Sequence, residues 1–190
     1  MIKDSGDRHE FESGAVRDMQ EGKGRCDLMP MKEVAQLVGQ LDKSATDEVL
    51  DTIACFQITG EDTFLGNALM CFLDHHEWDL LTMLLEVAIH FEQGAEKYGE
   101  NNWQKGLPVK SYINSAVRHY LKWLRGDNDE PHDRAFCWNI LCAMWTCRNH
   151  PHLNSYGPAG GVYLNGKQIA EGMRKLSEYD INYGKGRVLG

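Results

Sequence analysis

Three neighbouring stretches decide how this chain is read: EQGAEKYGENNW (92–103), SAVRHYLKWLRG (115–126) and DNDEPHDRAFCWN (127–139). They read as helix, loop, helix, loop and helix, with breaks at glycine, asparagine and proline. This order brings acidic side chains from two helices toward one another, with Arg118, His119 and Lys122 on the helix between them. Carboxylates gathered beside Lys and Arg suit a polyphosphate carried on Mg²⁺.

The flanking sequence extends the helical pattern. Leu80, Leu81, Leu84, Leu85, Ala88 and Phe91 recur at helical spacing and predict one wide apolar face on a helix over 77–93. Gly94 is expected to interrupt it, and Gly99 closes the GAEKYG segment. Further helices are predicted over 31–41 after Pro30, over 46–56 with Thr46 as N-cap, and over 62–73. Downstream, the spacing predicts a helix over 111–125 with Ile113, Ala116, Val117, Tyr120, Leu121 and Leu124 inward. Another is predicted from Pro131 through Trp145, and a last one over 164–176. Only 161–164 hints at an extended piece, so the fold class expected is an all-α helical bundle. The glycine-rich first 30 residues read as an irregular arm, 31–150 as the bundle and 151–190 as a C-terminal extension.

With 190 residues, 42% hydrophobic and 25% charged, the chain can bury one good core. A formal net charge of −8 argues against general binding to nucleic acid, whose phosphates need Lys and Arg. A nucleotide remains compatible when divalent cations stand between its oxygens and the protein's carboxylates. No apolar run approaches the roughly 18 residues that span a bilayer. The start, MIKDSGDRHE, has neither the basic flank nor the apolar stretch of a signal peptide, so no membrane partner and a cytoplasmic location are expected. The six cysteines contain no CxxC pair, and Cys137, Cys142 and Cys147, five apart, scatter around a helix; buried reduced thiols are expected.

Each candidate for chemistry has a plainer reading beside it. Glu92 and Glu96, four apart, share one side of a helix as metal ligands or as solvated charges. Glu130 and Asp133, with Asp129 adjacent, suit metal binding or complement a helix dipole. Arg118 and Lys122 form a cationic face, and His119 borders the buried side. His132 and Asn139 place polar groups on an otherwise apolar helix, where they need partners. Asn101, Asn102 and Trp103 follow a helix end: the indole can stack on a base while the amides read its edge, or the tryptophan plugs the bundle. Lys23 and Arg25 sit among glycines that let backbone approach an anion, although GKGR is not a P-loop. No GxSxG, HExxH or GxGxxG is present.

The motifs SGAVRD (13–18), GKGRCDLMP (22–30), FEQGAEKYGENNWQKGLP (91–108), SAVRHYLKW (115–123) and DEPHDRAFCWNIL (129–141) together resemble the dATP/dGTP diphosphohydrolase N-terminal family. That family is widespread in bacteriophages and related to the all-α, MazG-like nucleotide pyrophosphohydrolases. The resemblance implies a helical fold assembled as a dimer or tetramer, acidic helix residues holding Mg²⁺ with Mn²⁺ as a substitute, and a host-cytoplasmic location if phage-encoded. It implies cleavage of dGTP or dATP between the α and β phosphates to monophosphate and pyrophosphate, with dGMP available for 2-aminoadenine synthesis. Metal ligation would fall to Glu92, Glu96, Asp129, Glu130 and Asp133. Phosphate contacts would fall to Lys97, Arg118, Lys122, Lys23 and Arg25. Glu130 and Asp133 fit the Glu-x-x-Asp pattern of MazG-like enzymes, whereas Glu92 and Glu96 are one residue wider than Glu-x-x-Glu. Residues 39–80 read as an insertion, and the alternative function is a nucleotide-binding regulatory or interaction protein without turnover.

Overall fold

Helix α5 (Val109–Arg125) is the axis on which the bundle is built. Ile113, Ala116, Val117 and Tyr120 are fully buried along it, as the spacing predicts, and so is Tyr112; Leu121, also expected inward, is half-buried, and Leu124 at the last turn is exposed. The computed structural model describes residues 8–19, 22–76 and 78–157, of which those up to Tyr156 belong to one compact unit. Six helices are described: α1 (Met31–Gly39), α2 (Glu48–Thr59), α3 (Thr63–Asp74), α4 (Leu80–Tyr98), α5 and α6 (His132–Asn149). The expected helix at 164–176 and extended piece at 161–164 lie outside the described residues.

α6 packs along α5 and carries Phe136, Cys137, Ile140, Cys142 and Ala143 into the core; α3 and α4 pack on α6 in turn. α1, α2 and α3 form a second layer. Residues 39–80, read from sequence as an insertion, contribute Leu50, Ile53, Phe56, Leu65 and Phe72 to the core. α2 is capped by Asp47 rather than Thr46: the Asp47 carboxylate accepts from Leu50 N at 2.8 Å and, on its other oxygen, from the Tyr120 hydroxyl at 2.7 Å. A carboxylate accepts this amide bond more strongly than a hydroxyl, and the neighbouring cap loses.

Two expectations are corrected here. The arm is not wholly irregular: β1 (Arg8–Glu10) and β2 (Val16–Asp18) pair antiparallel, with Arg8 opposite Asp18 and Glu10 opposite Val16. Gly14, at φ +75°, turns the chain between them. α4 runs unbroken through Gly94 to a terminus at Gly99, and the face it buries is Met83, Val87 and His90. Leu81 and Leu85 are about 70% exposed (71% and 72%), with Leu80, Leu84 and Ile89 exposed beside them. The leucine periodicity marks a real face, turned away from this chain's core. All six cysteines are unpaired; Cys137 and Cys142 are buried and the other four half-buried.

Candidate functional site

A cleft of about 730 Å³ is lined by β2, the second half of α4, the 99–103 turn, α5 and the α5–α6 connection. β2 reaches it because Asn102 holds the strand like a missing neighbour. The buried Asn102 side chain accepts from Val16 N and donates to Val16 O, both at 2.8 Å. Ser13 Oγ donates to Gly106 O at 2.6 Å, Lys105 Nζ to Gly14 O at 3.0 Å, and Cys26 N to Asn114 Oδ1 at 2.7 Å, so the arm is fastened along its length.

The arm brings Arg17 into the cleft wall, a residue the sequence reading quoted within SGAVRD without assigning it a role. Its guanidinium donates to Asn139 Oδ1 at 2.6 Å and stacks over Tyr112 at 5.4 Å. Asn139 in turn donates to Ala135 O, so the polar group predicted on α6 is satisfied and serves to aim Arg17. Arg118, Lys23 and Lys122 line the same cleft. Burial, with Arg17 nearby, lowers the Arg118 pKa from its ordinary value. Its Nη2 donates to Ser115 Oγ at 3.0 Å, whereas Nη1 is buried with no hydrogen-bond partner among the described residues. Burial also lowers Lys23, an effect that Asp18 opposes. Cations held this way are short of negative charge, which a phosphate supplies.

Acidic groups stand on two sides of this charge: Glu92 on α4, and Asp129 and Glu130 on the connection before α6. Glu130 Oε1 lies 3.6 Å from His119 Nδ1 and 3.5 Å from His132 Nδ1, and the two Nδ1 atoms are 3.0 Å apart. Asp129 accepts from His132 Nε2 at 2.9 Å and stands 3.5 Å from Lys122 Nζ. Burial and the adjacent Arg118 push His119 far below the usual imidazole range. The other end of the cleft is aromatic, with the Phe91 ring centre 5.2 Å from Trp103 and 5.8 Å from Trp138. His90 sits 5.2 Å from Trp138, and both His90 Nδ1 and Trp138 Nε1 are buried with no hydrogen-bond partner among the described residues. His90 stood out in the sequence only as an i,i+4 pair with Glu86, and Trp138 looks there like a member of an apolar helix face.

Several predicted site residues lie elsewhere. Asp133 does not line the cleft: it accepts from His76 Nε2 at 3.2 Å, while His76 Nδ1 accepts from Trp78 N, and its other oxygen caps Arg134 N. The i,i+3 relation with Glu130 fails because Pro131 stands between them and α6 begins at His132. Glu92 and Glu96 are both exposed, but of the two only Glu92 lines the cleft. Burial pulls the Lys97 pKa down, but Asp18 at 2.7 Å and Tyr98 more than offset this, so the ammonium is engaged in bracing β2. Arg25 forms a two-pronged, exposed pair with Asp27. Asn101, Asn102 and Trp103 all line the cleft, but Asn102 has spent both amide ends on Val16. Acidic groups thus line the cleft from α4 and from before α6, but Asp133 and Glu96 are not among them.

The described chain is therefore an α-helical bundle whose cleft combines carboxylates, cations and aromatic rings at the size of a small-molecule site. Residues 74–155 match the model of the family described as dATP/dGTP diphosphohydrolase, N-terminal. The match spans α4 to α6, while Arg17, Asp18 and Lys23 come from outside it. Searches of curated proteins and of solved structures gave no significant match. Among the described residues no helix is long and apolar enough to cross a membrane.

Proposed function

We propose that this cleft hydrolyses a purine deoxynucleoside triphosphate, dGTP or dATP, between its α and β phosphates, releasing the monophosphate and pyrophosphate. The observation that carries the reading is Arg118, a half-buried guanidinium whose buried Nη1 has no hydrogen-bond partner among the described residues, in a cleft also lined by Glu92, Asp129 and Glu130. Oxygen donors of this kind fit Mg²⁺ or Mn²⁺, with Glu92, Asp129 and Glu130 the residues that would hold it. Bound there, such an ion would supply positive charge against the phosphates and make the attacking water more acidic.

Arg17, Lys23, Arg118 and Lys122 bind the phosphate oxygens and stabilise the charge that gathers on the departing pyrophosphate. The Glu92 carboxylate orients water for in-line attack on the α phosphorus and takes its proton. Phe91, Trp103 and Trp138 receive the base by stacking, and Asn101 lies at that end of the cleft. The chain acts as a homo-oligomer, a second copy covering the leucines that α4 exposes. Light scattering of the wild type against Leu81→Asp/Leu85→Asp tests this: a wild-type monomer removes the oligomer.

The hydrolase test is incubation with dGTP and Mg²⁺ followed by chromatography. Release of pyrophosphate and dGMP supports the reading; dGDP with orthophosphate, or deoxyguanosine with triphosphate, overturns the cleavage position. Tight dGTP binding without any product would identify the chain instead as a nucleotide-binding protein without turnover. Glu92→Gln and Glu130→Gln should each slow turnover at least about 100-fold.

A further inference from the structure

We infer that His119, His132 and Glu130 bind one first-row transition-metal ion, of which Zn²⁺, Co²⁺ and Mn²⁺ are the representative probes. The site shares Glu130 with the set proposed to hold magnesium, differs from that set in its two imidazole donors, and does not depend on turnover.

The argument begins with three atoms. His119 Nδ1, His132 Nδ1 and Glu130 Oε1 form a triangle with sides of 3.0, 3.5 and 3.6 Å. A circle through them has a radius of about 2.0 Å, close to the roughly 2.0–2.1 Å at which imidazole nitrogen and carboxylate oxygen bind such an ion. One cation can therefore touch all three with little movement, leaving its remaining positions to water or a ligand oxygen. Two of the three donors are imidazole nitrogens, which magnesium disfavours and later first-row ions prefer.

The surroundings orient the ligands as a metal requires. Asp129 Oδ1 accepts the proton on His132 Nε2 at 2.9 Å, which leaves the Nδ1 lone pair directed toward His119 and Glu130. His132 has a side chain only 1% exposed, and it sits in the first turn of α6, so its ring has little freedom to leave. Without a cation, the two Nδ1 atoms share one proton carried by His119; with a cation bound, that ring carries its proton on Nε2. Glu130 and Asp129 contribute negative charge, one part of which Lys122 offsets. Asp127, Asp129 and His132 form an overlapping group, in which Asp127 is already paired with Arg125.

The test uses the full chain without an affinity tag, stripped with chelator and titrated with Co²⁺ in the absence of nucleotide. Visible absorption reports nitrogen ligation and elemental analysis gives the stoichiometry. One equivalent should bind with a Co²⁺ ligand-field band, and Zn²⁺ should displace it. His119→Gln and Glu130→Gln should each weaken binding at least tenfold, Asp129→Asn about tenfold, and His152→Ala should bind like wild type. Glu130 is partly exposed, so its variant carries the test if His119→Gln loses its helical circular dichroism. Absence of the band, or equal binding in wild type and Glu130→Gln, overturns the site. A chain that binds Co²⁺ but releases no pyrophosphate keeps this site and loses the hydrolase reading.

Discussion

Replacing Asn102 by alanine separates two roles for that residue, one at the base and one at the backbone of β2. Its side chain makes two hydrogen bonds to Val16, both 2.8 Å, and is 8% exposed. At about 1 kcal/mol net for each bond, the substitution removes about 2 kcal/mol from docking of β2, roughly a thirtyfold change in that equilibrium. Because β2 carries Arg17 and Asp18, nucleotide affinity should fall by up to that factor, and equally for dGTP, dATP and dCTP. Calorimetry with non-hydrolysable analogues measures the affinities, while hydrogen exchange at Val16 and Arg17 reports the strand. Asn102→Asp should behave similarly, since it sets a second acceptor against Val16 O. A selective loss of guanine over adenine, with exchange at Val16 unchanged, would refute the clamp.

Burial, with Arg134 and Arg17 adding to it, pushes His90 down to about 3, so it stays neutral in the fold while the unfolded chain takes a proton below about 6.5. The unfolded state then binds more protons, so stability present above pH 6.5 is lost as pH falls toward 3: about 2 kcal/mol by pH 5, read as a falling urea midpoint that His90→Phe flattens. Gly39→Ala would place a Cβ 2.5 to 2.8 Å from backbone atoms of Thr46 and Asp47, forcing open the turn before α2. The expected loss is about 3 kcal/mol, and an unchanged melting temperature would contradict the packing. Tyr120→Phe removes the hydroxyl donated to Asp47 and should destabilise by about 1–3 kcal/mol in urea unfolding, with little effect on nucleotide affinity.

Periodicity made the helices legible because a helix repeats one face over many residues. It could not say what covers that face, which is why the leucines of α4 read as core although Met83, Val87 and His90 fill that place. The three-residue strands β1 and β2 are too short for alternation to register, and what fixes β2 is an asparagine 86 residues away in sequence. Spacing identified Glu130 and Asp133 as partners only on the assumption that both lie on one helix, and Pro131 breaks that assumption. Arg118, His119 and Lys122 share the cleft because all three belong to one unbroken α5. Arg17 was hidden for a different reason: a lone arginine in a glycine-rich arm carries no sign of the burial that tertiary contact gives it.

Burial is the leading cause that raises all six cysteine pKa values, and a thiol kept protonated is a poor nucleophile. For spectroscopy this leaves a quiet chemical background. A single new cysteine at the exposed position 12, in the turn between the two strands, should take a maleimide dye well ahead of the native thiols. Fluorescence from that dye could then follow arm release in real time, with no native side chain removed beyond Glu12.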